Sequence, residues 1–300
     1  MHEASLRIAG RIRRTPVGQV SGASLGVPQL DNVFLKLEYI QNSGSFKARG
    51  ATNFILSNDI GSAGVVAASG GNHGAAVAWA AREMGHKATI FVPTISSAAK
   101  VERLHFYDAD VHQVGDVYAE ALEASHEFQA SSGAVPIHAY NHPDVLAGAG
   151  TTGLEFLDQA GALDTILVAC GGGGLAGGMS IVTGDRCRLV VCEAENTSAF
   201  AAAKAAGERV PVEVSGITAD ALGATTIGEL AWQALSKVDA VSVLMTDDEV
   251  CDAMDHLWDE FRIVVEPAAA TAAAALFSGN YKPAEGERVG VVLCGANTPL

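Results

Sequence analysis

Lys47 is the one lysine in NSGSFKARG, residues 42–50, set among small and polar residues just after an apolar run. Upstream, VFLKLE (33–38) alternates apolar and polar residues as a strand does. Downstream, residues 47–56 carry apolar side chains at spacings a helix can use, and Asn42, Ser43, Gly44 and Ser45 are loop and cap residues. Lys47 is therefore expected at a loop-to-helix junction. The backbone at a helix start presents positive partial charge, which disfavours an ammonium there. Two readings follow: an ordinary surface lysine, or a lysine held neutral as an amine or imine.

Three further turns carry chemistry. SGGNHG (69–74) follows the apolar run GVVAAS; its glycines permit close backbone approach and its amides suit a carboxylate at a helix start. CGGGGLAGG (170–178) follows DTILVAC. Four consecutive glycines are costly to order and make sense where backbone N–H groups curl around an anion such as phosphate. VVLCGANT (291–298) ends a buried strand at Cys294, which alone reads as core. One competitor arises from the same glycines. Gly172, Gly174 and Gly177 match a dinucleotide fingerprint, with Glu193 ending the next strand at a distance suited to a ribose hydroxyl. That reading, an NAD(P)-dependent oxidoreductase, explains neither SGSFK nor SGGNHG.

Elements that could position these loops alternate along the chain. GVVAAS, KATIFVP, DVHQVG, DTILVAC, RLVVCEAE and VGVVLCG read as strands. HGAAVAWAAREMG, SAAKVERLHFYD and YAEALEASHEFQASSG read as helices between them. The alternation predicts an α/β protein with largely parallel sheets, whose ligands bind beyond the carboxyl ends of strands. With 300 residues, 49% of them hydrophobic, the chain can bury a large core. A net charge of −15 argues against nucleic acid as a partner. Five cysteines without a CxxC pair suit a reducing cytoplasm rather than a disulfide framework. The sequence has no signal-peptide pattern and no apolar run long enough to span a membrane.

In combination these motifs resemble the serine/threonine dehydratase family, the fold type II enzymes that use pyridoxal 5'-phosphate and include serine racemase. SGSFKARG resembles the family's S-G-S-F-K-x-R-G, SGGNHG its S-x-G-N-H, CGGGGL its tetraglycine loop, VEPAAA (265–270) its V-E-P-A and LCGANT its last strand end. ALGATTIG (221–228) looks closest to the liver-type serine dehydratase branch. The resemblance runs from about Arg14 to Thr298. It implies two open parallel-sheet domains with helices on both faces. Residues 1–52 and 144–300 would form the larger cofactor-binding domain, and 53–143 a smaller inserted α/β domain that closes over substrate. A homodimer and a small amino-acid substrate are the family expectation.

Residue by residue, the resemblance makes Lys47 the catalytic lysine, which holds the cofactor aldehyde as an imine and serves as the base at Cα. Phe46 packs on the ring, Asn72 partners its phenolic oxygen, and Gly171, Gly172, Gly173, Gly174 and Leu175 hold the phosphate. Cys294 faces the ring nitrogen; as a poor proton source it favours expulsion of a β-hydroxyl. Ser69, Gly71, Asn72 and His73 form the substrate-carboxylate loop, and Glu266 borders the ring. Gly70 stands where the racemases carry a serine, so an acid or base opposite Lys47 is lacking. Glu193 matches a cation-site glutamate, but Ala199 replaces an acid there, which argues against a divalent metal and leaves room for a monovalent cation. The implied activity is α,β-elimination from L-serine or L-threonine to a 2-oxo acid and ammonia. The alternatives are a racemase or a β-replacement synthase, which would resemble S-x-K-D-R where this chain has Ala48. The chain ends at Leu300, right after the last strand, so no C-terminal regulatory domain is expected.

Overall fold

The computed structural model describes residues 1–298; Pro299 and Leu300 lie outside the described residues. Among those, ten strands form two sheets. Strands β1 (Val17–Ser21), β2 (Asn32–Leu37), β7 (Thr165–Ala169), β8 (Arg188–Ala194), β9 (Val241–Met245) and β10 (Val289–Leu293) make the larger one. Its order is β1-β2-β10-β7-β8-β9, and β1 is its one antiparallel member. The smaller sheet has β3 (Val65–Ala68), β4 (Ala88–Val92), β5 (Asp110–Gln113) and β6 (Val135–Pro136) in the all-parallel order β5-β4-β3-β6.

Every residue of β7 and β10 is buried, as continuous apolar strands covered on both faces must be. The alanine-rich helix Pro267–Phe277 lies against β7, β8 and β10, its small side chains allowing close approach. A second apolar core serves the smaller sheet. Helix Lys47–Ser57 feeds that core through Ala48, Ala51, Phe54 and Ile55, so the smaller unit draws on it ahead of residue 53.

A buried charge network fixes that helix. The Arg49 guanidinium forks onto Glu38, with Nε to Oε2 at 2.8 Å and Nη2 to Oε1 at 2.7 Å. Lys36 Nζ donates to Glu155 Oε1 at 2.6 Å and to the Thr15 carbonyl at 2.7 Å. Burial opposes ionisation of Glu38, but the Arg49 and Lys36 charges outweigh it and hold its carboxyl below the usual range. Removing one member of a pair buried in this way leaves an uncompensated charge, so the partners hold each other's geometry. Here the geometry fixed is the helix that begins at Lys47.

Candidate active site

Lys47 enters its helix through a tight turn in which Ser43 (φ 58°) and Gly44 (φ 78°) are left-handed. A Cβ at Gly44 would also come within 2.4 Å of Asn297 Oδ1, so glycine is required for conformation and for space. The turn is stitched to the end of β10. Phe46 N donates to the Cys294 carbonyl at 3.0 Å, Ala296 N to the Gly44 carbonyl at 3.0 Å, and Ser45 bridges Gly295. The predicted lysine junction and the predicted last strand end are thus one structural unit.

Lys47 Nζ donates to the Ala139 carbonyl at 2.8 Å and lies 5.2 Å from the centre of the Phe46 ring. Desolvation lowers its pKa from 10.5 to about 8, the largest influence on it. Cys294 is buried, and that burial pushes its thiol far up, so it is neutral. Glu266, at the start of helix Pro267–Phe277, is raised to about 7 by desolvation despite the bonds it accepts from Asn72 and Asn297. Asn72 Nδ2 donates to Glu266 Oε1 at 2.6 Å, and Asn297 N to Glu266 Oε2 at 3.2 Å. Asn297 Nδ2 completes the ring of contacts, donating to Asn72 Oδ1 and, at 3.0 Å, to the Ser43 carbonyl.

The glycine loop joins β7 to helix Gly174–Thr183, with Gly173 left-handed at φ 83°. Among the described residues, the amides of Gly171, Gly172, Gly173, Gly174 and Leu175 donate to no backbone or side-chain acceptor. Five unpartnered donors at a helix start are an anion receptor. Tyr140 walls the loop: a Cβ on Gly172 would sit 2.4 Å from its ring. Near Lys47, the hydroxyls of Ser43 and Ser45 and Asn297 Oδ1 are buried without partners among the described residues. A polar group seated between the lysine and the glycine loop would supply what these atoms lack, and a phosphate with an aldehyde meets both the amide cup and the amine.

A cavity of about 430 Å³ opens beside this centre, lined by Gly70, Gly71, Asn72, Glu266 and Asn297 and by residues of helix Ala98–Phe106. Gly71 and Asn72 reach it; Ser69 and His73 do not. Ser69 Oγ turns back to accept from Gly71 N at 3.3 Å. His73 is buried with Nε2 2.8 Å from the Ile137 carbonyl, and burial lowers its pKa to about 3, so it is a neutral brace for the loop. Glu193 is buried, its two oxygens accepting from Phe200 N and Ala201 N at 2.8 Å each, at the start of helix Ala199–Ala206. A ribose would find both oxygens taken. No cluster of three metal-ligating side chains occurs among the described residues. A larger groove of about 710 Å³, which includes Ile181 and Lys237, contains none of the candidate residues.

Sequence reasoning did not reach Tyr140, the Ala139 carbonyl or the role of Asn297. The Ala139 carbonyl meets Lys47 across 92 residues of chain, and Tyr140 meets the site at Gly172. Asn297 had a signal in its position two residues after a glycine-capped strand end, without a partner to give it meaning.

Comparison with known proteins agrees with this geometry. A family profile described as pyridoxal-phosphate dependent enzyme matches residues 8–295. The phenylserine dehydratase of Ralstonia pickettii is 36% identical, over 89% of this chain and 83% of that protein. The serine racemase of Oryza sativa subsp. indica is 33% identical, over 100% of this chain and 90% of that protein. The structure of maize serine racemase superposes with a TM-score of 0.93 at 33% identity, covering 100% of this chain and 93% of that one. No helix among the described residues is long and apolar enough to cross a membrane. A lysine of depressed pKa, a cup of unpartnered glycine amides and these relatives lead to one assignment: the chain belongs to the pyridoxal-phosphate dependent enzymes.

Proposed function

We propose that the chain is a dehydratase of the ammonia-lyase type, converting a small β-hydroxy amino acid, such as L-serine or L-threonine, to a 2-oxo acid and ammonia. The observation that carries the reading is the Lys47 amine, brought to about 8 beside the cavity that Asn72 lines. When bound, pyridoxal phosphate supplies an electron-withdrawing ring that acidifies the α C–H of the amino acid. Lys47 would hold its aldehyde, the amides of Gly171 to Leu175 its phosphate, and Phe46, Asn72 and Cys294 its ring. Freed from that bond, the Lys47 amine is the base that takes the α-proton, and its pKa near the operating pH suits it to the transfer. The Asn72 amide, at the start of helix Asn72–Glu83, orients the substrate carboxylate. The neutral Cys294 thiol offers no strong acid to the ring, which favours prompt loss of the β-hydroxyl.

The unit spanning 53–143 closes over substrate in this reading, and the Lys100–Asp220 ion pair across the cavity supports that closure. Five free cysteines, four of them buried, support a cytoplasmic setting. The family precedent supports a homodimer. A monovalent cation would use Glu193 and neighbouring carbonyls, in competition with the two amides that Glu193 already serves.

A racemase is the second reading, favoured by the rice and maize relatives. Against it stands Gly70, which puts no acid or base on the cavity wall. The deciding experiment measures 2-oxo acid and D-amino acid release together across a panel of β-hydroxy amino acids, with borohydride reduction locating the pyridoxyl group. Label on Lys47 with 2-oxo acid dominant is the expected result. D-amino acid formed as fast as 2-oxo acid replaces the dehydratase reading with the racemase.

A further inference from the structure

The cavity beside Asn72 has a cationic wall that a plain serine substrate would leave unused. The N-cap Ser97 and, at three-residue intervals along helix Ala98–Phe106, Lys100 and Arg103 all line the cavity. Lys100 is committed: its ammonium pairs with Asp220 on the opposite wall. Arg103 is not. Among the described residues it makes no ion pair and no side-chain hydrogen bond, although it is half-buried and its charge is felt at Glu266. With Asp220 neutralised by Lys100 and Glu266 held by Asn72 and Asn297, the guanidinium faces the cavity without a partner. A planar guanidinium so placed is a receptor for a carboxylate, which it can grip with two parallel hydrogen bonds. Across the cavity, the Gly70 and Asn72 amides offer the second anion receptor at a helix start.

We propose that the preferred substrate is a β-hydroxy amino acid bearing a second carboxylate, of which 3-hydroxyaspartate is the simplest, with Arg103 binding the distal carboxylate. The proposal rests on the dehydratase reading and names its substrate class. The reaction balances without an added reagent. The Cα–H and Cβ–O bonds break with loss of water, and one water then hydrolyses the resulting C–N bond, giving oxaloacetate and ammonia. Arg103 is a specificity residue here and takes no proton.

The test compares the holoenzyme with Arg103→Met and Arg103→Lys in two measurements. One is kcat/KM for 2-oxo acid release from 3-hydroxyaspartate and from L-serine. The other is calorimetric affinity for L-aspartate and L-alanine, which have no β-hydroxyl to lose. Wild type is expected to favour 3-hydroxyaspartate over serine and aspartate over alanine. Arg103→Met should lower the two dicarboxylate values by about 10- to 100-fold, the range of a charge-assisted hydrogen bond. The losses for serine and alanine should be several-fold smaller, and lysine should restore part of the difference. Equal losses on both substrates, or no preference for aspartate over alanine, overturns the proposal even when serine or threonine is turned over. An Arg103-dependent preference for aspartate without 2-oxo acid from any hydroxy amino acid keeps the carboxylate site and removes the dehydratase reading.

Discussion

Two helix starts in this molecule face the same region and treat the same electrostatics in opposite ways. At Gly174 the helix presents bare amides from a glycine loop, and no acceptor among the described residues meets them. At Lys47 the helix start carries an ammonium precursor, the charge least welcome there, inside a desolvating wall. The first start attracts an anion; the second keeps an amine close to neutral. A cofactor with a phosphate at one end and an aldehyde at the other needs both. The lesson is that helix-terminus polarity is used here as a pair of complementary instruments.

Removing the nucleophilic end breaks the comparison most severely. Lys47→Ala should lower elimination by at least about 10³-fold, since the base and the covalent anchor vanish together. The 2-oxo acid assay on cofactor-saturated protein checks this, and activity within tenfold of wild type would place the base elsewhere. Gly173→Asp attacks the other end. The new residue meets a left-handed φ, sits against Ala231 and Ile227, and brings negative charge to the cup. Cofactor affinity should fall by about 100-fold, read by titrating the apoprotein, with the far-ultraviolet circular dichroism unchanged. Intact affinity would mean that the phosphate sits elsewhere.

The pH dependence of loading sharpens the contrast further. Covalent attachment needs the neutral amine, and the Lys47 pKa is lowered from 10.5 to about 8. The attachment rate should therefore rise about tenfold per pH unit below 8 and level off above it. A rate still climbing at pH 10 would show an ordinary lysine. The smallest effect belongs to Gly70→Ser. A Cβ there makes only ordinary contacts, 3.4 Å from Val92 Cγ1 and 3.6 Å from Ser96 Oγ. Elimination should stay within about threefold, while chiral chromatography of L-serine incubations should show a trace of D-serine absent from wild type. A rise in D-serine to the rate of pyruvate formation would make Gly70 the whole barrier to racemisation.

The strands legible in the sequence were chiefly those the fold buries. β7, β8 and β10 are runs of Val, Ile and Leu covered on both faces, and their composition leaves little choice. The strands that escaped, β1, β6 and β9, are all at sheet edges. β1 and β9 are mostly half-exposed, and β6 is two residues long and ends in Pro136. The site divides similarly. Lys47, Asn72 and the glycines announce themselves because backbone conformation and rare residue types are local properties. Tyr140 and the Ala139 carbonyl do not, because a wall and a carbonyl acquire function only when folding brings them to Gly172 and Lys47. His73 shows the converse: its motif suggested a ligand contact, but burial against Ile137 made it a brace.

The Lys100–Asp220 pair has a consequence for how the enzyme senses its medium. It joins helix Ala98–Phe106 to residues 219–222 across the cavity, and both partners are partly exposed. Such a contact contributes only about 0.2–1 kcal/mol, and salt screens it over roughly 8 Å at physiological ionic strength. The two walls are thus held together by a latch comparable to thermal energy. Added potassium chloride should quicken any turnover limited by product escape and leave one limited by bond breaking nearly unchanged, so the ionic composition of the surroundings becomes a throttle on the open cleft.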